Sequence, residues 1–192
     1  MASKVAIANM ALVGELSQEQ ITSLGDDTRG AKLANLVYDS TAKEVMVENE
    51  WSVASFRQTL AQNAMAPDFG YSFKYQLPAD PLFLGIIKIN ELRPGDVIFS
   101  IENGFLLTDE TTVKIKYKGF QTNTESYDPM LERAIVLKLA HKMCYTLTGN
   151  VKLKELLFNQ YQIAVENGAA IDGLNSNDDN ETITSDLIDV RR

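Results

Sequence analysis

Apolar positions from residue 29 to 49 recur at helical spacing, with Ala34, Val37, Tyr38, Thr41 and Val45 on one stripe. Residues three and four apart share a helix face, so this spacing predicts an amphipathic helix. Thr28 stands ahead of it, where a hydroxyl caps free N–H groups. A shorter apolar run predicts a first helix over 3–13, capped by Ser3, followed by a polar connector from Gly14 to Asp27. The longest stripe follows Pro129: Leu131, Ile135, Leu139, Met143 and Leu147 repeat every fourth residue, flanked by Val136, Ala140 and Cys144. Gly149 ends it. Leu153, Leu156, Leu157, Tyr161 and Ala164 predict a further helix over 151–167, with Gly168 as its stop.

Between these helical stretches the period changes to two. Val113, Ile115 and Tyr117 alternate with Lys114, Lys116 and Lys118, the pattern of a half-buried antiparallel strand with a wet lysine face. On an edge strand such lysines discourage sheet-to-sheet aggregation, and they read this way rather than as phosphate contacts. Leu82–Ile89, Val97–Ile101 and Phe105–Thr108 read as strands, with a turn at 93–96 and a hairpin turn at 102–104. The first of these strands is entered through Leu77-Pro78-Ala79-Asp80-Pro81. Each proline lacks an N–H and fixes φ, so the segment is straightened as it is released into the strand. It reads as the point where the chain leaves a helical body for a β-subdomain. Residues 50–64, with Trp51, Ala54, Phe56 and Leu60, read as a bend followed by a short helix or extended segment; 66–73 reads as a loop.

The predicted class is α+β: a helical bundle with an inserted small antiparallel β-subdomain and an extended C-terminal arm. The expected divisions are an N-terminal helical part (1–74), the β-subdomain (75–122), the C-terminal helices of the helical body (123–170) and a flexible arm (171–192). The arm is expected because 174–186 carries no periodicity and few large apolar residues. Its tip regains Leu187, Ile188 and Val190, followed by Arg191 and Arg192. A polar spacer ending in an apolar-basic tip has the form of a docking tether.

Composition narrows the function. With 192 residues the chain has the size of one domain. Its 26 acidic and 18 basic residues leave a net charge of −8, unlike the basic face of a sequence-specific DNA binder. One cysteine, Cys144, allows neither an intrachain disulfide nor a cysteine zinc site. One histidine, His141, allows no multi-histidine metal centre. The apolar run Val5–Val13 is too short to span a bilayer and lacks the flanks of a secretory signal, so a soluble protein of a reducing cytoplasm is expected.

Candidate chemistry is sparse. Neither a phosphate-binding glycine loop nor a metalloprotease or serine-hydrolase signature is present. His141 reads as a surface or interface histidine rather than a general base, Cys144 as packing rather than a nucleophile, and Trp51 as a core or interface anchor. Asn175, Asn177, Asp179 and Asp186 fall at positions 1, 3, 5 and 12 of a calcium loop. Asn180 stands where that loop needs glycine and Asp186 where it needs a bidentate glutamate, so an acidic spacer is the better reading.

The order of several segments goes further. Residues 10–15 (MALVGE), 21–39 (ITSLGDDTRGAKLANLVYD), 50–61 (EWSVASFRQTLA), 69–84 (FGYSFKYQLPADPLFL) and 127–150 (YDPMLERAIVLKLAHKMCYTLTGN), with the terminal DLIDVRR, together resemble the tail tubular protein A family. These are head-to-tail adaptors of short-tailed bacteriophages. The most specific pieces are Tyr38-Asp39, the segment beginning at Trp51 and Tyr75–Asp80. The resemblance implies a virion structural protein without catalytic residues, cofactor or metal. Such adaptors form a ring, typically dodecameric, between the portal and the tail nozzle or tail tube. DNA passes through the ring without specific binding, and no membrane is involved. Assembly takes place in the host cytoplasm. In this setting Leu187, Ile188, Val190, Arg191 and Arg192 become the portal-binding tip. The alternatives are another ring-forming neck or completion protein of a phage and, from a different class, a small metal-dependent hydrolase or nuclease.

Overall fold

The computed structural model describes residues 3–175. Over that span the chain is mixed α/β, with four α-helices and two three-stranded antiparallel sheets. Helix α1 (Lys4–Asn9) starts where the Ser3 hydroxyl accepts the Ala6 N–H at 3.1 Å, and it continues into a π-helical turn, Met10–Glu15. Asn9 then ties down the connector: its carboxamide donates to the Ile21 carbonyl at 2.8 Å and accepts the Ile21 N–H at 2.9 Å. Helix α2 (Arg29–Glu48) is capped by Thr28, whose hydroxyl accepts the Ala31 N–H at 3.2 Å. Its expected stripe is inward, with Ala34, Tyr38, Thr41 and Val45 buried.

Helix α3 (Pro129–Thr148) carries its signals at both ends. Asp128 accepts the N–H groups of Met130 and Leu131 at 2.8 Å each, and proline opens the first turn. At the other end Gly149 turns the chain at φ +67°, a left-handed conformation that suits glycine. Helix α3 packs against both α2 and α4 (Val151–Asn175). That sandwiching explains why its buried set, from Leu131 to Cys144, is broader than a single stripe.

Helix α4 corrects the expected stop at Gly168, because it runs through that residue. A Cβ at position 168 would lie 2.5 Å from the Trp51 ring. The glycine makes room for an indole rather than ending a helix. Leu157, Tyr161, Ala164, Gly168 and Asp172 therefore form one continuous buried face. Asp172 reaches the backbone N–H of Ser52 at 3.4 Å. The five positions from 171 to 175, expected to begin the arm, are the last of this helix.

The first sheet has the order β1-β6-β3, from β1 (Ser55–Thr59), β6 (Lys114–Gly119) and β3 (Phe83–Ile89). The second has the order β2-β5-β4, from β2 (Phe73–Gln76), β5 (Phe105–Thr108) and β4 (Phe99–Glu102). The hairpin between β4 and β5 turns at Asn103 and Gly104, both at positive φ (47° and 80°), the geometry that Asn-Gly accommodates. The second hydrophobic cluster collects buried side chains from both sheets, Tyr75 and Leu106 from one and Ile89, Ile115 and Tyr117 from the other.

Three expectations change here. β6 is the centre of its sheet, flanked by β1 and β3, so its lysines do not guard an edge. The N-terminal part expected to be helical (1–74) also holds strands, two of the six beginning before residue 75; within it residues 50–64 take the extended alternative, a single helical turn, Ser52–Ala54, and then the strand β1. The Leu77–Pro81 segment accordingly joins β2 in one sheet to β3 in the other, rather than leading out of a helical body. Its path is held at each end, by Leu77 N–H on the Gly104 carbonyl (3.0 Å) and Phe83 N–H on the Pro78 carbonyl (3.2 Å).

Among the described residues no helix is long and apolar enough to cross a membrane.

Candidate functional site

Leu187, Ile188, Val190, Arg191 and Arg192 lie outside the described residues, as do Asn177, Asp179, Asn180 and Asp186 of the calcium-loop pattern. The remaining candidates can be placed. Trp51 is buried, 1% exposed, and its Nε1–H donates to the Val45 carbonyl at 2.8 Å, so its polar edge is satisfied inside the helical core. Cys144 is fully buried on α3, with its sulfur 3.5 Å from the Thr148 hydroxyl and from the Asn150 carbonyl. It helps close the α3–α4 corner.

His141 is half-buried on α3, its ring 5.4 Å from that of Phe158 on α4. Burial lowers its pKa from the ordinary 6.5, and the neighbouring cations Lys154, Lys138 and Lys142 lower it further. The same side of the helices carries a polar network. Lys138 pairs with Glu48 at 3.0 Å and Lys142 with Glu44 at 2.6 Å, both bridging α3 to α2. The Tyr161 hydroxyl of α4 donates to the other Glu48 oxygen, and Lys138 lies 4.3 Å from the Tyr161 ring centroid. Burial, with the Glu48 carboxylate beside it, pushes the Tyr161 phenol far above its usual range. This network locks three helices together and has the geometry of a clasp. Among the described residues no three His, Cys, Asp or Glu side chains gather as metal ligands would.

The lysine face of β6 is a different kind of surface. In the sheet register Lys116 stands opposite Arg57 of β1 on one side and Lys88 of β3 on the other. Directly paired residues share a face, so three cations stand abreast with Lys114 one step along the strand. A depression of about 230 Å³ is lined by Arg57, Thr59, Lys88, Glu91, Lys114 and Lys116. Arg57 and Glu91 approach to 3.9 Å, both largely exposed, a loose pairing of little energetic weight. Lys118, further along β6, leaves this open area: its Nζ donates to the Val47 carbonyl at the end of α2 at 2.5 Å. Burial lowers its pKa, with Glu50 acting in the opposite sense. The lysine alternation pointed to half of this face. Arg57 and Lys88 were not legible as members, because only strand pairing brings residues 57, 88 and 116 together.

Large apolar side chains also remain exposed in separate places. Leu36 on α2 is 76% exposed, Ile163 on α4 57%, and Phe69 in the loop before β2 87%. Ile98, just ahead of β4, is 80% exposed.

No protein-family model matches this chain, and no curated protein matches it at significant similarity.

Proposed function

We propose that this chain is a virion structural protein, a head-to-tail adaptor of a short-tailed bacteriophage that forms a ring between portal and tail. The observation that carries the reading is the order and spacing of the five segments between Met10 and Asn150, with Trp51 and the Tyr75–Asp80 stretch among them. Two structural features support it. A ring joins subunits by heterologous contacts, so each copy needs two different sticky surfaces. Exposed Leu36 and Ile163 on helices, and exposed Phe69 and Ile98 beside the second sheet, offer surfaces of that kind on different elements. Separate helical and β hydrophobic clusters also suit a two-ended part. In this reading the helices form the ring wall, the sheets face the tail nozzle or tube, and the segment ending in Leu187, Ile188, Val190, Arg191 and Arg192 reaches the portal. Catalysis has no part in it, and genomic DNA passes through without sequence-specific contact.

Sedimentation of the full chain with and without its portal tests the proposal. A single small species alone and a saturating complex with portal are expected. Deleting residues 186–192 should abolish stable attachment while leaving the circular dichroism melt unchanged. Failure of the full chain to associate with portal would sink the adaptor reading.

A further inference from the structure

We infer that the groove between the π-helical turn Met10–Glu15 and the first turns of α3 is the seat of this chain's own C-terminal tip, Leu187 to Arg192, in the free protein. The groove has a volume of about 580 Å³, within the ordinary range of ligand pockets. Met10, Tyr127, Pro129 and Val136 give it apolar walls, and Glu15, Glu132 and Arg133 bring charge to it. A Cβ at Gly14 would meet nothing within 4 Å, so this glycine leaves room for another backbone to approach. Past Met10 and Gly14 the surface continues to Val5 and Val13, a length that suits an extended segment rather than a compact ligand. π-Helical turns are themselves frequent at functional sites. Two polar atoms beside the groove are unpaired. Asp128, between Tyr127 and Pro129, caps α3 with one carboxylate oxygen and leaves Oδ2 buried, with no partner among the described residues. The Tyr38 hydroxyl is buried and unpartnered in the same way. Burial pushes the Tyr38 phenol up, and Tyr127, Asp39 and Glu132 push it further, so the local field is negative.

The path of the chain decides what fills it. Helix α4 runs back along α3: Phe158 meets His141, and a Cβ at Gly168 would lie 3.6 Å from that of Met130, in the first turn of α3. From Gly168 the helix continues for about 10 Å to Asn175, so the described chain ends near the end of α3 that forms the groove. Residues 176–186 span up to about 36 Å when extended, enough to bring Leu187 to any part of it. Leu187, Ile188 and Val190 match the apolar walls. Arg191 and Arg192 match the carboxylates of Glu132 and Asp128, since a guanidinium donates well to carboxylate oxygens. A short tether holds its end at an effective concentration of about 1 mM, so a groove with an affinity of only about 1 mM for the free tip is already half filled. No separate partner has that advantage. The inference stands on the groove and the path of the chain, independent of the adaptor reading; a second protein that binds the tip would compete with this seat.

The test is nitroxide-induced broadening of methionine methyl signals in the full chain, with the spin label on Ser185→Cys. Cys144 is fully buried, so the label goes to position 185. The Met10 methyl signal is expected to be lost and that of Met65, in the loop before β2, to persist. Both side chains are exposed, 44% and 76%, so the contrast reads position rather than access. Leu187→Ser combined with Ile188→Ser should restore the Met10 signal without touching the described fold. Glu132→Lys should restore it in part, with thermal melting as the folding control. A Met10 signal that survives in the labelled parent, or that stays lost in the Leu187→Ser, Ile188→Ser variant, overturns the inference. Broadening that appears only when a spin-labelled chain is mixed with a separately methyl-labelled one also overturns it, by identifying a second copy as the source of the tip. No portal is present in any sample, so this inference and the adaptor reading fail separately.

Discussion

The two hydrophobic clusters are built on different principles. The helical one is rich in small side chains: Ala8, Ala11, Ala31, Ala34, Ala42, Ala134 and Ala140 are all fully buried. Alanine lets helix backbones approach closely, and a few large groups such as Trp51 and Tyr38 fill what remains. The β cluster is thinner and depends on rings. Phe56 and Phe83 lie at 5.8 and 5.9 Å from Tyr117 on either side, each only partly buried. Deep burial is shared among many residues in the first and concentrated on a few in the second. The helical region is therefore expected to hold the slowest-exchanging amides, and the sheets to open at lower free energy. The two are joined where Lys118 meets the end of α2 and where Leu84 and Phe120 pack against the helical cluster.

The largest expected effect comes from breaking the helical cluster at its biggest member. Trp51→Ala removes a fully enclosed indole, its hydrogen bond to Val45 and the group that Gly168 was shaped around. A loss of about 3–5 kcal/mol is expected in denaturant unfolding. An unchanged midpoint would show that the indole does not sit in the core.

Leu106→Ala sharpens the contrast from the other side. Leu106 is fully buried in the β cluster, and its truncation should cost about 2–5 kcal/mol. Hydrogen exchange then discriminates. Protection should fall across β5 and β6 while the amides of α3 keep theirs. An equal fall in both regions would mean that the clusters unfold as one unit.

The smallest expected effect is a pH dependence confined to the helices. The unfolded chain takes up a proton at His141 near its ordinary pKa of 6.5, whereas the folded chain resists it until lower pH. Acid therefore favours the unfolded state. His141 contributes stability that is present above pH 6.5 and is lost as pH drops below that value towards the lowered folded pKa. His141→Gln should flatten the melting temperature across that window. A wild-type profile already flat between pH 7 and pH 5.5 would remove His141 from the energetics.

Much of the local structure was legible from short range alone. Thr28, Asp128 and Gly149 act at helix ends as their side chains and backbone freedom dictate, and Asn103-Gly104 makes the hairpin turn. The inward faces of α2, α3 and β6 follow the periods of 3.6 and 2 read from the chain. What failed was whatever depended on a distant partner. Gly168 has the local signature of a helix stop, yet the helix continues, because the Trp51 ring more than a hundred positions earlier occupies the space beside it. The lysines of β6 have the local signature of an edge, yet β1 and β3 claim both sides of that strand.

The sequence by itself therefore determined where α2, α3 and the strands β3 to β6 form, which faces of α2, α3 and β6 turn inward and where the chain reverses at Asn103-Gly104. These depend on side-chain period, capping atoms and allowed φ, all of which act within a few residues. Only the tertiary structure decided the strand orders β1-β6-β3 and β2-β5-β4, the passage of Leu77–Pro81 from one sheet to the other and the gathering of Arg57, Lys88 and Lys116 on one face. Strand pairing is a contact between segments far apart along the chain. Its outcome is set by which apolar faces can be buried together, a choice that no single stretch of sequence contains.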